Sequence, residues 1–427
     1  MLEADFALFN VGQLVTGAPG SHVDAEGALG VIRRGALAAR DGKIVWTGRM
    51  DEFQTAVRLN PDSVVVNTHG QTVLPGFVDP HTHPVFAGNR AGDFYARTAG
   101  ASYEDQLERG GIMQTVRATR AASEDELLGL ALGRAGVFLR YGTTTIEGKS
   151  GYGLTDTDEL KSLRVLSRLQ RLSPLKVVPA FLGAHDLPDD AIDRDTFVAD
   201  IIERWLPAAR PYAGVCDAWC DPGAFSAEQC RRILTRAREL GYELTLHANE
   251  LAMGPGASLA AEMRCLSVDH AVYLDSTSIA ALKAAGTVAV LLPGTTLFLG
   301  SDTYAPARSL LDAGVPVALG TDFNPGTSNT QNMQFILTLA VLKLGMTPEE
   351  AILGATREAA RAVGLEQAVG ALSAGKYCDF TTYSVDDYRL IPYHYAMNLV
   401  DVVVAGGQVV VRDGALVAEA PASTAVP

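Results

Sequence analysis

The 427-residue sequence is short of cysteine and of positive charge, and it has no long apolar run. Its five cysteines, Cys216, Cys220, Cys230, Cys265 and Cys378, form an odd set without the paired spacing of a zinc finger. That pattern argues against a disulfide framework and points to reduced thiols with packing roles. Only 35 Lys and Arg face 49 Asp and Glu, a formal net charge of −14. A chain so acidic repels phosphate backbones and anionic membrane surfaces, so neither nucleic acid nor membrane is expected as a partner. The opening MLEADFALFN lacks the basic and apolar regions of a signal peptide. No segment approaches the roughly 18–20 apolar residues of a membrane span. A cytoplasmic location is the expectation.

What remains is the composition of a globular protein, 48% hydrophobic and 20% charged, long enough for one large domain or a large one with a smaller companion. The two ends resemble each other and differ from the middle. GVIRRGALAARDGKIVWTG (30–48) and DVVVAGGQVVVRDGALVAE (401–419) are short apolar stretches broken by Asp41-Gly42, Gly406-Gly407 and Asp413-Gly414. These dipeptides are hairpin turns, and the two sets of hairpins can pair into one small β domain. Between them, eight apolar strands alternate with amphipathic helices: TVLPGFVDP, TTTIEG, LKVVPAFLGA, GVCDAWC, ELTLHA, CLSVDHA, TVAVLLP and PVALGTD. ELKSLRVLSRLQRL (159–172) illustrates the helical period, with leucines at 160, 163, 166, 169 and 172. Eight βα units with strands buried on both faces predict an α/β fold, a closed (β/α)8 TIM-like barrel. A doubly wound open sheet is the rival, disfavoured because no Gly-rich dinucleotide fingerprint follows the first strand. The expected division is 1–70 and 369–427 for a composite β-sandwich and 71–368 for the barrel.

Catalytic groups of such barrels sit where strands end. Five of the eight histidines do so: His81 and His83 after the first strand, then His185, His247 and His270. Glu250 follows His247, Asp269 precedes His270, and Asp322 and Asn324 close the last strand. Side chains two apart on a strand point the same way, so His81 and His83 can reach one metal ion. Alone, a His-X-His is as easily a pair of loop histidines, and His185 or His270 as easily a hydrogen-bonded packing residue. Histidines used only for packing would not gather at strand ends, which makes a metal site the better reading.

The segments HTHPVFAGNR, GGIMQTVRATR, YGTTTIEGKSGYGL, AFLGAHDLP, LHANE, VDHA, LLPGTT and TDFNPGT resemble the amidohydrolase superfamily and, within it, the imidazolonepropionase family. The likeness runs from about Leu74 to Asn398, and KSGYGL and TDFNPG are its most specific parts. It departs at Asn249, where the family has Asp, at Arg109 for Gly, and at Asp93 for Glu. What it implies is a metal-dependent hydrolase that opens the ring of 4-imidazolone-5-propanoate to N-formimidoyl-L-glutamate in histidine degradation, with a homodimer as the familiar assembly.

Superfamily members with two metals use a modified lysine at the end of the fourth strand, and GVCDAWCDPG has none. Lys149 follows the second strand and reads as structural or as site wall. The resemblance therefore implies one divalent ion, Zn2+ or Fe2+, held by His81, His83, His247 and Asp322. It makes Glu250, His270 and Asp322 catalytic, with Glu250 moving a proton from water to the leaving nitrogen and His270 steadying the oxyanion. Arg90 carries a fork of donors suited to the propionate arm. Tyr152, His185, Glu250, Asn324, Gly326 and Thr327 are the further substrate contacts, and Tyr103 is either a further carboxylate contact or a packing residue. Met113 and Phe225 read as core or wall.

Two other readings use the same residues. A nucleobase deaminase would share the metal set, but a neutral ring gives Arg90 no carboxylate to clamp. An inactive scaffold should have lost ligands, and every expected ligand is present.

Overall fold

The computed structural model describes residues 1–18, 20, 22–23, 25–98, 100 and 111–417. The N-terminal end supplies β1 (Leu2–Val15), β2 (Val31–Arg40), β3 (Lys43–Arg49), β4 (Val57–Asn67) and β5 (Thr72–Pro75). The barrel strands follow: β6 (Phe77–Thr82), β7 (Thr143–Lys149), β8 (Lys176–Ala184), β9 (Val215–Cys220), β10 (Glu243–Ala248), β11 (Ser267–His270), β12 (Val288–Leu291) and β13 (Val317–Leu319). The chain returns through β14 (Phe380–Tyr383), β15 (Val400–Ala405), β16 (Gln408–Arg412) and β17 (Ala415–Leu416).

Strands from both ends share one nine-stranded sheet, ordered β17-β16-β15-β14-β5-β1-β2-β3 with β4 beside β1. Alternation sorts its faces. On β2, Leu37 and Ala39 join the apolar cluster of Phe6, Phe380 and Val404, whereas Ala36 and Ala38 join Phe53 and Val57. The three Gly-containing dipeptides are the two-residue turns their composition predicts. Arg40 pairs with Lys43, Ala405 with Gln408 and Arg412 with Ala415. All six turn residues have positive φ, from 51° to 77°, as turns matched to strand twist require.

The other eight strands are parallel and run in sequence order from β6 to β13. A bridge from Thr82 to Phe323 joins the first strand to the end of the last, and the buried Asp79 carboxylate accepts Thr321 N at 3.0 Å and Thr321 Oγ1 at 2.5 Å across the same seam. The helix Asp156–Leu172 starts where Thr155 accepts the Asp158 amide, and it buries Leu163, Leu166 and Leu169 while Leu172 is exposed. TVLPGFVDP is not a single barrel strand but two strands in two sheets, divided at Gly76. A Cβ there would lie 2.2 Å from Thr144 Oγ1, so the chain passes too close to the barrel for any other residue. All five cysteines are buried and unbridged. Among the described residues no helix is long and apolar enough to cross a membrane.

Candidate metal centre and active site

His81 and His83 leave β6 at its C-terminal end and meet His247 from β10. Their ring centroids are 5.3 Å apart, and His81 lies 4.3 Å and His83 5.8 Å from His247. Asp322, just past β13, places Oδ1 3.4 Å from His81 Nε2 and 3.6 Å from His83 Nε2. One ligand atom from each of His81, His83 and His247 lies within 4.8 Å of the others, and the same holds for His81, His270 and Asp322. All are buried, and burial together with mutual repulsion holds His81, His83 and His270 well below the usual imidazole range, as neutral donors. Burial pushes the Asp322 carboxyl up to about 6 even though Thr295 Oγ1 donates to it at 2.6 Å.

Apart from the charge contact to Asp322, the buried His81 Nε2 finds no hydrogen-bond partner among the described residues, an unusual debt for an interior nitrogen. Its other nitrogen is committed: His81 Nδ1 is 2.7 Å from Asp269 Oδ2. His247 Nδ1 is likewise close to a carboxylate, 2.8 Å from Asp217 Oδ2, in a charge contact that is not aligned as a hydrogen bond. A carboxylate on Nδ1 fixes the tautomer and aims Nε2 inward, the usual arrangement around a metal-bound histidine. Three imidazoles and a carboxylate so arranged can hold a divalent metal ion.

Above this cluster lies a pocket with about 510 Å³ of empty space, part of it open to solvent. Of the residues expected in the site, His83, Arg90, Tyr152, His185, His247, Glu250, His270, Asp322, Asn324 and Thr327 line it. His81 sits beneath, and Gly326 backs Arg90, where a Cβ would lie 2.5 Å from a terminal guanidinium nitrogen. Tyr103 and Arg109 lie outside the described residues. Met113 and Phe225 are core.

Glu250 projects from the turn after β10. Asp221 anchors that turn by accepting the Glu250 and Leu251 amides at 3.0 and 3.2 Å. Burial, reinforced by Asp322 and Asp221, holds the Glu250 carboxyl well above its ordinary range. His270 Nε2 is 3.6 Å from Glu250 Oε2, and the His270 backbone is left-handed at φ 71°. Asp322 also has positive φ, 50°, so two of the site's side chains are aimed by a strained backbone.

Arg90 is steadied through Nε, which donates to Asp93 Oδ2 at 2.6 Å, while Gln114 holds the other Asp93 oxygen at 3.2 Å. Asp93, one of the departures from the family pattern, is thus the residue that orients Arg90. Asn249 also has a physical account. Its Nδ2 donates to Gly254 O and Tyr273 O, and its Oδ1 accepts the Ala257 amide. An aspartate there would oppose two carbonyls with a carboxylate.

Across the pocket, His185 stacks on His83 at 5.2 Å and lies 2.8 Å from the Gly151 carbonyl through Nδ1. Gly151 has φ 106°, and a Cβ on it would meet His185 Nδ1 at 2.9 Å, so this turn requires glycine. Asn324 spends its amide on its own loop, donating to Asp322 O and accepting the Gly326 and Thr327 amides.

Several supporting residues lie outside the expected set of ligands and substrate contacts, although Asp269 already stands among the strand-end residues. Asp217 and Asp269 brace the histidines, Thr295 braces Asp322, and Glu159, read only as part of a helix, accepts the amides of Gly151, Gly153 and Leu154. Asp217 offered one signal, a charged residue inside the apolar strand Val-Cys-Asp-Ala-Trp-Cys.

Residues 90–411 match the profile of the amidohydrolase family. An imidazolonepropionase of Symbiobacterium thermophilum is 44% identical over 420 residues, 97% of this chain and 99% of its own length. One from Alkaliphilus oremlandii is 38% identical over 97% of this chain and 99% of its own length. Among solved structures, a zinc-bound adenosine deaminase of Xanthomonas campestris superposes with a TM-score of 0.75 at 18% identity, over 98% of this chain and 95% of that one. At that identity the superposition carries the fold alone, while the sequence relatives carry the family. The chain belongs to the imidazolonepropionase family of the amidohydrolases.

Proposed function

We propose that this site hydrolyses the ring amide of 4-imidazolone-5-propanoate to N-formimidoyl-L-glutamate, with His81, His83, His247 and Asp322 as ligands of a single divalent ion, Zn2+ or Fe2+. The observation that carries the reading is one pocket with neutral imidazoles and a carboxylate on its floor, a largely buried Glu250–His270 pair at its side and an orientated arginine on its wall. The single ion is supported by the fourth barrel strand, whose inward residues are Asp217 and Trp219 rather than a bridging lysine.

A bound divalent metal supplies Lewis acidity at the ring carbonyl and lowers the pKa of water towards neutrality. Glu250 takes a proton from the attacking water and returns it to the ring nitrogen as the C–N bond breaks; the water oxygen stays in the new carboxyl group, which releases the remaining water proton to solvent as it ionises. Raised by burial, the Glu250 carboxyl has a basicity suited to both halves of that transfer. His270, neutral and 3.6 Å from Glu250, orients the carbonyl oxygen and steadies its developing charge. Arg90 takes the propionate, while Tyr152 and His185 flank the ring. Asn324 shapes the turn that brings Gly326 and Thr327 against the substrate. Fixing the substrate at both ends sets the angle of attack.

The test is hydrolysis of 4-imidazolone-5-propanoate by the purified protein, followed by ultraviolet absorbance, with metal quantified on the same sample. Turnover with about one ion per chain is expected. Deamination of a nucleobase without turnover of the imidazolone overturns the substrate assignment.

A further inference from the structure

Beneath the histidines lies a buried charge cluster that the reaction described above does not use. Lys149, the last residue of β7, is fully buried. Its Nζ is 2.6 Å from Glu147 Oε2, 2.7 Å from Asp217 Oδ2 and 3.4 Å from Asp269 Oδ2. Two of these carboxylates are the ones that face His247 Nδ1 and His81 Nδ1. We propose that Lys149 is a positioning residue of the metal centre: one ammonium anchors Asp217 and Asp269 together, and through them fixes the tautomer and aim of His247 and His81.

The geometry favours this over simple compensation of buried charge. Compensation of Glu147 alone needs one contact, and Lys149 makes its other close contact to the Asp217 oxygen that also faces a histidine. Asp269 Oδ2 likewise faces both Lys149 and His81, while its Oδ1 is held by Ser267 Oγ at 2.6 Å. Asp217 Oδ1 is held by the His247 and Ala218 amides. Each aspartate is therefore fixed on one oxygen by its own barrel wall and shares the other between lysine and histidine. Asp217, His247 and Asp269 also form a potential cation-binding group, and the Lys149 ammonium already reaches both of its carboxylates. Without that cation two like charges face each other under the histidines, and their repulsion would turn the side chains that orient Nδ1.

This inference rests on the ligand assignment above, and the experiment separates the two. Zn2+ affinity of the metal-free protein is measured by competition with a chromogenic chelator, alongside the Tm of the metal-free form and kcat and KM of the loaded enzyme. Lys149→Met is expected to weaken Zn2+ binding about 10–100-fold, the usual cost of an outer partner, and to lower kcat more than KM. Glu147→Gln, which removes the one carboxylate not facing a histidine, is expected to lower Tm without that loss of affinity. Should Lys149→Met fail to fold, the double variant Lys149→Met/Glu147→Gln restores the formal charge balance and is expected to show the same weakened binding. Unchanged Zn2+ affinity in the folded lysine variant, with only Tm reduced, overturns the proposal and leaves the ligand set intact. A wild-type protein that takes up no Zn2+ overturns the ligand set and this inference with it.

Discussion

Lys149 and Lys176 are both sealed from solvent on neighbouring strands of the same barrel, yet they keep different company. Lys149 ends β7 at the face where the histidines converge, and three carboxylates crowd it. Lys176 begins β8 at the opposite face, where Nζ lies 2.8 Å from Asp379 Oδ2 and 4.7 Å from the centre of the Tyr377 ring. Asp379 also accepts the Gly406 amide, so this pair ties the barrel floor to the sheet built from both termini. One cation meets one anion where the task is to hold two domains together. At the other end an excess of carboxylates surrounds the cation, and two of them, Asp217 and Asp269, also face a histidine. The difference follows the division of labour in such barrels, with chemistry at the C-terminal strand ends and stability at the N-terminal ends.

His83→Ala strikes the chemical end hardest: bound metal and turnover should disappear together, and retention of stoichiometric metal would remove His83 from the ligand set. Glu250→Gln comes next, with metal retained and kcat reduced roughly 10²–10⁴-fold, the usual contribution of a general acid–base group. Its pH dependence has a definite sign. The catalytic form is the carboxylate, and burial raises its pKa above the ordinary value of 4.5, so activity should climb with pH on an acid limb displaced upward. That limb should flatten in the glutamine variant; an unaltered limb would assign it to another group.

Lys176→Met tests the other end. Breaking one partner of a buried pair costs about 3–5 kcal/mol, so Tm should fall steeply while metal affinity and KM hold. Loss of metal in this variant would erase the contrast between the two lysines. The smallest effect is expected of Arg90→Ala, where loss of a charge-assisted contact of about 1.5–3 kcal/mol should lower kcat/KM for the propionate substrate with metal still bound. Loss of metal there would contradict a role confined to the substrate's far end.

The sequence carried local rules over a long way. Three glycine-containing dipeptides became turns with positive φ, a three-residue leucine spacing became the buried face of a helix, and the five histidines at strand ends gathered around one pocket. Each depends on short-range geometry: turn residues on their own φ, helix faces on a fixed period, strand ends on the architecture that alternating strands and helices impose. The TVLPGFVDP run misled because apolar character reports burial, not which of two sheets buries it.

What tertiary structure alone decided is the set of partners. His81 meets Asp269 across 188 residues, Lys149 meets Asp217 across 68, and Lys176 meets Asp379 across 203. No periodicity links such positions. Their pairing arises because a closed barrel brings strand ends to a common axis, and a charge excluded from water there must find its opposite among whatever that closure brings near. The residue types at the strand ends, and so the kind of chemistry, were written in the sequence. Which carboxylate faces Nδ1 of His81 and which faces Nδ1 of His247 was settled only when the barrel closed.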